Sequence, residues 1–589
     1  MEIGEVLEGL DQLFANRESN KVEDYLSSYL EKALKEGDAG SAITIINELI
    51  GFYRDTSQYD KAEAYCEKLL PFMERAGLEG TIHYGTSCLN IANAYRASGR
   101  LEDSLAYYQK VFQIYEQVLD KKDFRYASLY NNLSLLYQEM QQYEKASEAL
   151  CSALEIVKEY PEAVVEQAVT YTNLAASYVK ADRLNQAKEA SKHGLAIFED
   201  GRTEDYHYSA ALSVAGDIQY ASGEYDQAVL YYEQAMFALK QHVGVTHAYF
   251  RIISNLQLAY EKAGHAKALK GMTIAEDYYN EYGGRFREAL PDIVNEIAFA
   301  KVGEGSECFG LDDLLSKDHD FGPGFCVFVT CEQYEVYGRR LEQIYEELPD
   351  VFRGFSRPEP IKGAPRNGII RMEDFFGRIL ELNAEETAYL MKERILPENV
   401  FLRLDDWQLK TVTNGTIFSG QDTIFGDIYH QLKKGYPDSV WRRKLAQVLG
   451  HICQDGQYNY ERLMKRQDTY GATLMLQSFE ENVVVFLYLI NRVYAPHKKW
   501  MMKEAATLEK GQDILRMIKD LMEMKPDAES YQKREPVEWI GKKNTDDQIL
   551  QKIDQIAEKM VALLREEELT ESSDSYLEGH IPYLLKMVD

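Results

Sequence analysis

The sequence lacks the patterns that mark secreted, zinc-binding and membrane-spanning proteins. Its seven cysteines include no CxxC pair and its histidines are scattered, so neither a disulfide framework nor a zinc site is expected. The first residues, MEIGEVLEGLDQLF, are acidic and amphipathic instead of basic and then apolar, unlike a secretory signal. The longest apolar run, Val483 to Ile490, is too short to cross a bilayer. We therefore expect a cytoplasmic protein without membrane contact.

Positive charge is scarce. Sixty-six Lys and Arg residues stand against ninety-six Asp and Glu, which gives a formal net charge of -30. A chain this acidic repels phosphate polymers unless a local basic groove overrides the net charge. Broad nucleic-acid binding is therefore disfavoured. The length of 589 residues exceeds what one hydrophobic core organises, so two or three domains are expected.

The first half repeats itself with a period near 42 residues. Tyrosines recur at spacings of 42, 42, 41, 42 and 40, and small residues recur almost in step with them. The tyrosines are Tyr53, Tyr95, Tyr137, Tyr178, Tyr220 and Tyr260, and the small residues are Ala62, Ser104, Ala146, Ala187, Ala228 and Ala268. The pattern predicts pairs of amphipathic helices in which an aromatic ring on the first helix faces a small residue on the second. Gly99 and Gly223 fall at the turn, where a positive φ is expected.

The phrases LNIANAYRASGRLEDSLAYYQKV and NNLSLLYQEMQQYEKASEALCSAL, with their period, resemble the tetratricopeptide repeats of kinesin light chains. The resemblance covers about residues 40–275 and implies an all-α solenoid, assigned to residues 1–280, whose groove holds a protein or peptide. Its many tyrosines are interpreted as core residues and not as a stacking surface for bases or sugars.

Asparagines lie five residues before four of the repeat tyrosines, at Asn90, Asn132, Asn173 and Asn255. A carboxamide on the first helix of each pair can hydrogen-bond in both directions to an extended peptide backbone, so these are the candidate peptide-binding residues. The alternative is that each amide bonds a neighbouring helix or its own backbone. The fifth repeat has Ala215 at this position, which interrupts the series.

A different pattern begins after Gly283. Gly305 and Ser306 form a candidate tight turn that can offer N–H groups and a hydroxyl to phosphate oxygens. Asp318 and Asp320 follow, and they precede a predicted buried strand from Phe325 to Val329. Because alternate residues of extended chain point to one side, both carboxylates can face one Mg²⁺ ion.

Together these residues give G-S-x-x-x-G-x-x-D-x-x-S-x-D-x-D, which resembles the signature of the polymerase-beta-type nucleotidyltransferases. More narrowly, GSECFGLDDLLSKDHDFGPGF, KGYPDSVWRRKLAQ and NRVYAPHKKW resemble an uncharacterised bacterial family that carries a domain of unknown function. The implied fold is an α+β nucleotidyltransferase domain, assigned to residues 281–420. A helical domain that completes the nucleotide cleft and an acidic tail follow, at residues 421–589.

The resemblance also implies the chemistry. An acceptor hydroxyl attacks the α-phosphorus of a nucleoside triphosphate, Asp318 and Asp320 hold Mg²⁺, and Gly305, Ser306 and Lys499 contact the triphosphate. Lys498 is an alternative to Lys499. Such enzymes commonly use a third carboxylate, and the sequence does not choose among Glu373, Asp374, Asp405 and Asp406.

The leading hypothesis is a Mg²⁺-dependent nucleotidyltransferase that moves AMP from ATP onto a partner selected by the repeats. The alternatives are a small-molecule transferase of the aminoglycoside-modifying type and a non-catalytic peptide-binding regulator that senses nucleotide. Transfer to RNA ends is a further option, with a basic strip supplied by Lys433, Lys434, Arg442, Arg443 and Lys444.

Overall fold

The computed structural model describes residues 2–15, 18–317, 321–358, 365–532, 538 and 541–586. The chain divides into two compact units, residues 1–266 and 267–589.

The first unit is a series of antiparallel helices joined by short turns. Its helices are α1 Ile3–Ala15, α2 Val22–Glu36, α3 Ala39–Asp55, α4 Tyr59–Arg75, α5 Ile82–Ala97, α6 Leu101–Val118, α7 Phe124–Glu139, α8 Tyr143–Val157, α9 Val164–Lys180, α10 Leu184–Glu199, α11 Tyr208–Ala221, α12 Tyr225–His242 and α13 His247–Lys262. The pairs α3/α4, α5/α6, α7/α8, α9/α10 and α11/α12 coincide with the first five sequence repeats.

Each repeat turns at a residue in the left-handed backbone region. The residue after this turn residue donates its N–H to the carbonyl oxygen of the residue five positions earlier, with N–O distances of 2.7–2.9 Å. This hydrogen bond ends the first helix of the pair. The turn residues, with φ between 58° and 89°, are Ser57, Gly99, Gln141, Asp182, Gly223 and Gly264. The prediction for Gly99 and Gly223 is confirmed, and three of the six turns use a residue other than glycine.

The repeat position of the fifth pair is Gln219 and not Tyr220. The Glu224 N–H donates to the Gln219 carbonyl at 2.9 Å, as the Arg100 N–H donates to that of Tyr95 at 2.8 Å. The predicted alignment on Tyr220 is one residue too late, because Gly223 follows this tyrosine by three residues instead of four. The residue that interrupts the asparagine series is therefore Val214.

The small residues of the first five pairs are all buried, as close packing of two helices requires. Ala62, Ser104, Ala146, Ala187 and Ala228 are each at most 1% exposed. The sixth pair does not form as the spacing predicts. Residues 266–270 are turns and the next helix begins at Gly271. Ala268 lies within these turns, and its carbonyl accepts a hydrogen bond from Arg353 at 2.8 Å.

The second unit is built around a four-stranded mixed sheet. Its strands are β1 Ala298–Lys301, β2 Cys326–Val329, β5 Gly368–Arg371 and β6 Thr416–Ser419, and a separate two-stranded hairpin consists of β3 Val351–Phe352 and β4 Phe355–Ser356. The order in the sheet is β5-β2-β1-β6. β1 is antiparallel to β2 and β6, and β2 is parallel to β5. The buried strand predicted from Phe325 to Val329 is confirmed as β2.

Helices cover the sheet and extend beyond it. They are α14 Gly271–Tyr282, α15 Gly284–Ala289, α16 Cys331–Glu346, α17 Met372–Ile379, α18 Ala384–Glu393, α19 Glu398–Arg403, α20 Asp406–Thr413, α21 Ile424–Lys433, α22 Asp438–Ile452, α23 Glu461–Lys465, α24 Thr469–Ile490, α25 Lys498–Ala505, α26 Gln512–Met522, α27 Glu529–Gln532, α28 Gln548–Glu566 and α29 Ile581–Lys586. A π-helical segment, Cys453–Tyr460, joins α22 to α23.

Alternation along the strands gives the sheet two apolar faces. Phe299 and Val327 pack with Tyr278 of α14 and with α15 and α16. Ala300 and Phe328 pack with α17 to α22 on the other face. A third core lies among α22 to α29, which agrees with the predicted helical region after residue 421.

Helix α24 lies in this third core. Among the described helices, it is the one that is long and apolar enough to cross a membrane, judged by length and composition alone. Of its apolar window, 56% is buried within the protein. The burial fits a core helix of a folded domain.

Candidate functional site

The Gly305-Ser306 turn lies four residues beyond the end of β1. Gly305 is extended, with φ -70° and ψ 144°, and a single turn of 3-10 helix, Ser306–Phe309, follows it. Gly310, at φ 68°, ends this helix, and the Leu311 N–H donates to the Ser306 carbonyl at 3.0 Å. The predicted turn is present.

A buried ion pair connects the turn to β1. Lys301, the last residue of β1, is 3% exposed, and its Nζ lies 3.2 Å from Oε1 of Glu307. The same ammonium donates to Oδ1 of Asn367 at 2.7 Å. Burial alone would lower the pKa of Lys301, but the carboxylate of Glu307 holds the pKa above its ordinary value. The turn is thereby fixed to the central strand of the sheet.

The loop after the turn is fixed to the start of α14. Asp312 is 3% exposed and accepts the Gly271 N–H at 3.0 Å, while Lys270 donates to the Asp312 carbonyl at 2.6 Å. Asp313 and Ser316 bond each other, since Oδ1 of Asp313 accepts from the Ser316 N–H and hydroxyl at 3.1 Å. The motif residues between the glycines and the paired aspartates thus have structural roles.

Asp318 and Asp320, the predicted metal ligands, lie outside the described residues. Their flanks are described. Phe321 is buried against Phe355, with ring centroids 5.0 Å apart. A methyl group on Gly271 would lie 2.5 Å from Cβ of Glu307 and 3.0 Å from Cε2 of Phe321. The residue after Ser306 and the residue after Asp320 therefore both contact Gly271.

The YAPHKKW segment meets the Gly-Ser turn through two aromatic rings. Trp500 of α25 packs on Phe309, with ring centroids 4.4 Å apart. Lys499 is exposed, and its Nζ lies 4.1 Å from the Trp500 ring centroid. Lys498 instead pairs with Glu481 at 2.7 Å. Neither lysine makes a contact with Gly305 or Ser306 among the described residues, and the role of Lys499 remains a prediction.

The four candidate third carboxylates all make local contacts. Glu373 accepts the Cys331 N–H at the start of α16, and Asp374 pairs with Arg371 at 2.5 Å. Asp405 accepts from the Trp407 indole at 3.3 Å. Asp406 accepts from the Tyr436 hydroxyl at 2.6 Å and the Ala495 N–H at 3.3 Å, and Lys444 lies 3.8 Å away. The third carboxylate therefore stays unassigned.

Three cations that the sequence analysis did not bring together surround one pocket. The pocket has a volume of about 310 Å³ and opens beside Cys308 and Phe309 of the 3-10 helix. Its charged lining consists of Lys410, Lys433 and Arg492, and no carboxylate lines it in the described part of the chain. A signal was present, since Arg492 lies in the NRVYAPHKKW motif and Lys433 immediately precedes KGYPDS.

The repeat asparagines use their amide N–H groups within the first unit. Asn90 donates to Asn47 at 2.9 Å and Asn173 donates to Asn131 at 3.3 Å, in each case on the preceding pair. Asn132 donates to the Ser128 carbonyl of its own helix at 2.9 Å. These bonds are those of the alternative interpretation, and the peptide-binding role remains a prediction.

Asn255 bonds a carboxylate instead of an amide. Its Nδ2 donates to Oδ1 of Asp217 at 3.3 Å, which also accepts from the Tyr232 hydroxyl at 2.6 Å. Burial raises the pKa of Asp217. Asn90 also lines a pocket of about 410 Å³ with Asn47 and Phe14. Asn90 is therefore a predicted peptide-binding residue that lines a pocket.

Three parts of the sequence match known family models. Residues 80–159 and 211–244 match the tetratricopeptide repeat, and residues 401–501 match a domain of unknown function, DUF4037. The first half is therefore a tetratricopeptide-repeat region and the second half carries a DUF4037 domain. The DUF4037 match names no activity. It spans the strand β6, the helices α20 to α24 and all three lining cations of the 310 Å³ pocket, Lys410, Lys433 and Arg492.

The relatives share the repeats. Kinesin light chain-related proteins 2 and 3 of Arabidopsis thaliana are each 23% identical over 228 residues, which are 38% of this chain. The chain spans about a third of the length of these relatives, 34% and 35%.

The solved structures that resemble the chain share little sequence with it. They include apo RapI, 11% identical over 82% of this chain and 97% of its own, with a TM-score of 0.35. The apo quorum sensor NprR of B. thuringiensis is 17% identical over 59% of this chain and 92% of its own, with a TM-score of 0.33. BtubC of P. vanneervenii is 16% identical over 43% and 93%, with a TM-score of 0.28.

Proposed function

We propose that this protein is a nucleotidyltransferase whose repeat region selects a protein acceptor. The repeats support protein or peptide binding. The transferase part rests on the resemblance of the 305–320 segment to polymerase-beta-type enzymes and on one observation. The GSECFG and YAPHKKW segments, almost two hundred residues apart, pack together through Phe309 and Trp500 at 4.4 Å.

This contact supports a triphosphate site between the turn and α25. Gly305 and Ser306 offer backbone N–H groups and a hydroxyl, and Lys499 beside Trp500 offers an exposed ammonium. The lysine neutralises charge that develops on the leaving pyrophosphate. The hydroxyl oxygen of the acceptor forms the new bond to the α-phosphorus, its proton passes to water, and the bond from this phosphorus to the bridging oxygen of the β-phosphate breaks, so that pyrophosphate leaves.

The proposed metal site requires residues beyond the described part of the chain. Among the described residues, no group of three or more His, Cys, Asp or Glu side chains is arranged to hold a metal ion. Asp318 and Asp320 are the proposed ligands of Mg²⁺, which would supply charge neutralisation of the phosphates when bound. The assignment therefore depends on experiment.

The test is nucleotide transfer in the presence of candidate acceptors. The full chain is incubated with Mg²⁺, a lysate of its own host and each α-labelled nucleoside triphosphate in turn. We expect label from ATP on a protein, and we expect the Asp318→Asn, Asp320→Asn variant to lose roughly a hundredfold or more of it, because loss of metal ligands removes several kcal/mol of transition-state stabilisation. In the same assay Lys499→Met lowers transfer, whereas Lys498→Met does not.

The matched control for the aspartates is Asp292→Asn, an exposed carboxylate ahead of β1. Equal labelling by the Asp318→Asn, Asp320→Asn variant and this control contradicts the proposal. Label on a small molecule supports the aminoglycoside-type alternative. Nucleotide binding without any transfer supports the non-catalytic regulator. A cytoplasmic location is part of the proposal, and it is supported by seven cysteines that are all unpaired.

A further inference from the structure

The 310 Å³ pocket beside Phe309 has a charge opposite to that of the chain. Lys410 comes from α20, Lys433 from the end of α21 and Arg492 from the segment after α24. In a protein of net charge -30, three cations lining one concavity without a lining carboxylate are a local reversal of charge. Like charges brought together cost energy unless an anion or fixed partners offset the repulsion.

Each of the two lysines is held by one partner outside the pocket. Lys433 donates to the Tyr429 hydroxyl at 2.7 Å, and its ammonium lies 4.7 Å from that ring centroid. Lys410 forms an ion pair with Glu504 of α25. Because an ammonium has three donors, each lysine keeps hydrogen-bonding capacity for a ligand.

Arg492 is held on two sides. Its Nη2 lies 2.9 Å from Oδ1 of Asp438, and its guanidinium stacks on Trp441, 3.2 Å from a ring centroid. Stacking and one ion pair fix the plane of the guanidinium, so the remaining N–H groups are preorganised for an oxyanion.

The nearest carboxylates do not neutralise the cluster. Asp438 is shared between Arg492 and Arg442, which lies 2.7 Å away, and Glu504 faces Lys410. The three lining cations, Lys410, Lys433 and Arg492, therefore face two carboxylate partners, neither of which lines the pocket. The lining itself remains positively charged and is suited to an anion such as a phosphate group.

We propose that this pocket binds a phosphate group through Lys410, Lys433 and Arg492. The group belongs either to the nucleotide or to a second phosphorylated molecule that enters beside it. The binding does not depend on nucleotidyl transfer, because none of the three cations is a proposed metal ligand. The pocket contacts Phe309, so the bound phosphate lies next to the Gly-Ser turn.

The test measures binding of inorganic pyrophosphate to the full chain by calorimetry, in EDTA and at low salt. Lys433→Gln is expected to weaken binding roughly tenfold, since loss of one charge-assisted hydrogen bond is of that size. Lys433→Arg is expected to retain most of the affinity. Lys433 is exposed, so its substitution leaves the fold intact, which a thermal melt confirms.

The matched control is Lys434→Gln. Lys434 is the next residue, is exposed, bonds Gln431 at 2.9 Å and does not line the pocket. Equal affinities of the Lys433→Gln and Lys434→Gln variants overturn the proposal, as does an absence of pyrophosphate binding by the unaltered chain. A weaker Lys433→Gln beside an unchanged Lys434→Gln supports it.

Two further arms identify the source of the phosphate and separate this proposal from the enzymatic one. If ATP displaces pyrophosphate, the pocket holds the nucleotide's own phosphates, and if both bind together, it serves a second molecule. The Asp318→Asn, Asp320→Asn variant is expected to keep its pyrophosphate affinity in EDTA. A protein that binds pyrophosphate through Lys433 but transfers no nucleotide would contradict the transferase alone.

Discussion

Burial changes the pKa of one acidic side chain of this protein. Glu480 lies on α24 and is 7% exposed, and burial raises its pKa to about 7 from an ordinary 4.5. The folded state therefore holds a proton on this carboxyl that the unfolded chain releases between these two values. Stability is lost as the pH rises through this window.

The Glu480→Gln variant tests this linkage. Relative to the unaltered chain, its free energy of unfolding should improve by about 3 kcal/mol between pH 4.5 and pH 8, because the penalty of the raised pKa is complete above 7 and absent below 4.5. The measurement is urea unfolding of both proteins at the two pH values. Glu481→Gln is the control, since Glu481 is partly exposed and pairs with Lys498. A pH-independent difference for Glu480→Gln would show that this carboxyl is ionised in the folded protein.

Residue roles in the second half were only partly predictable. The preference for Lys499 over Lys498 came from motif position and remains a prediction. The proposed basic strip is not a continuous surface of free cations, because Lys444 is only 12% exposed and donates to the Leu404 carbonyl at 2.6 Å, while Arg442 pairs with Asp438. Sequence proximity does not reveal which cations point inward, so the cluster of Lys410, Lys433 and Arg492 was not foreseen.

At the scale of helical pairs, the period near 42 residues predicted where the helices lie. The left-handed turns fix which residue of each pair occupies the repeat position. Spacing located the first five pairs because each requires a small residue opposite a bulky one. It misplaced Tyr220 by one residue and a sixth second helix near Ala268. Both errors arise because spacing carries no information on backbone conformation or on a bond from a distant residue such as Arg353.

The left-handed turns give a test at this scale. Replacing Gln141, at φ 60°, by glycine should stabilise the first unit by about 0.5–1 kcal/mol, since a side chain is disfavoured in this backbone region. Gly99→Ala, at φ 81°, should destabilise it by about 1 kcal/mol for the same reason. Urea unfolding followed by circular dichroism measures both.

The control is a second Gly→Ala substitution, for which the opposite change in stability is expected. Gly51 lies within α3, and an added Cβ there meets no atom within 4 Å. Gly51→Ala should therefore stabilise the helix by about 0.5–1 kcal/mol. If Gly51→Ala and Gly99→Ala change stability in the same direction, backbone conformation is not what governs these turns.

For the whole molecule, the proposed function joins a recognition unit to a reaction unit. Under that proposal, binding of the partner to the repeats raises its concentration near the proposed transferase site. The Asn90→Ala, Asn173→Ala variant should therefore lower transfer to the protein acceptor roughly tenfold at low acceptor concentration, while nucleotide affinity is unchanged. Label incorporation over a range of acceptor concentrations measures the effect.

Asn185→Ala is the matched control, because Asn185 is exposed on the second helix of its pair. Equal loss in both variants would show that the two groove asparagines have no special role. Equal activity of the Asn90→Ala, Asn173→Ala variant and the unaltered chain would show that their amides serve only to bond neighbouring helices.

The anchoring of Asp312 on Gly271 determines where the protein can be divided. A fragment that begins at residue 281, the boundary suggested by sequence, would omit α14 and leave this interior carboxylate without its backbone donor. It would also uncover Phe325, whose ring lies 5.9 Å from that of Tyr278. An excised second unit therefore needs to begin at residue 267, ahead of Lys270 and Gly271, so that the Gly-Ser turn retains its support.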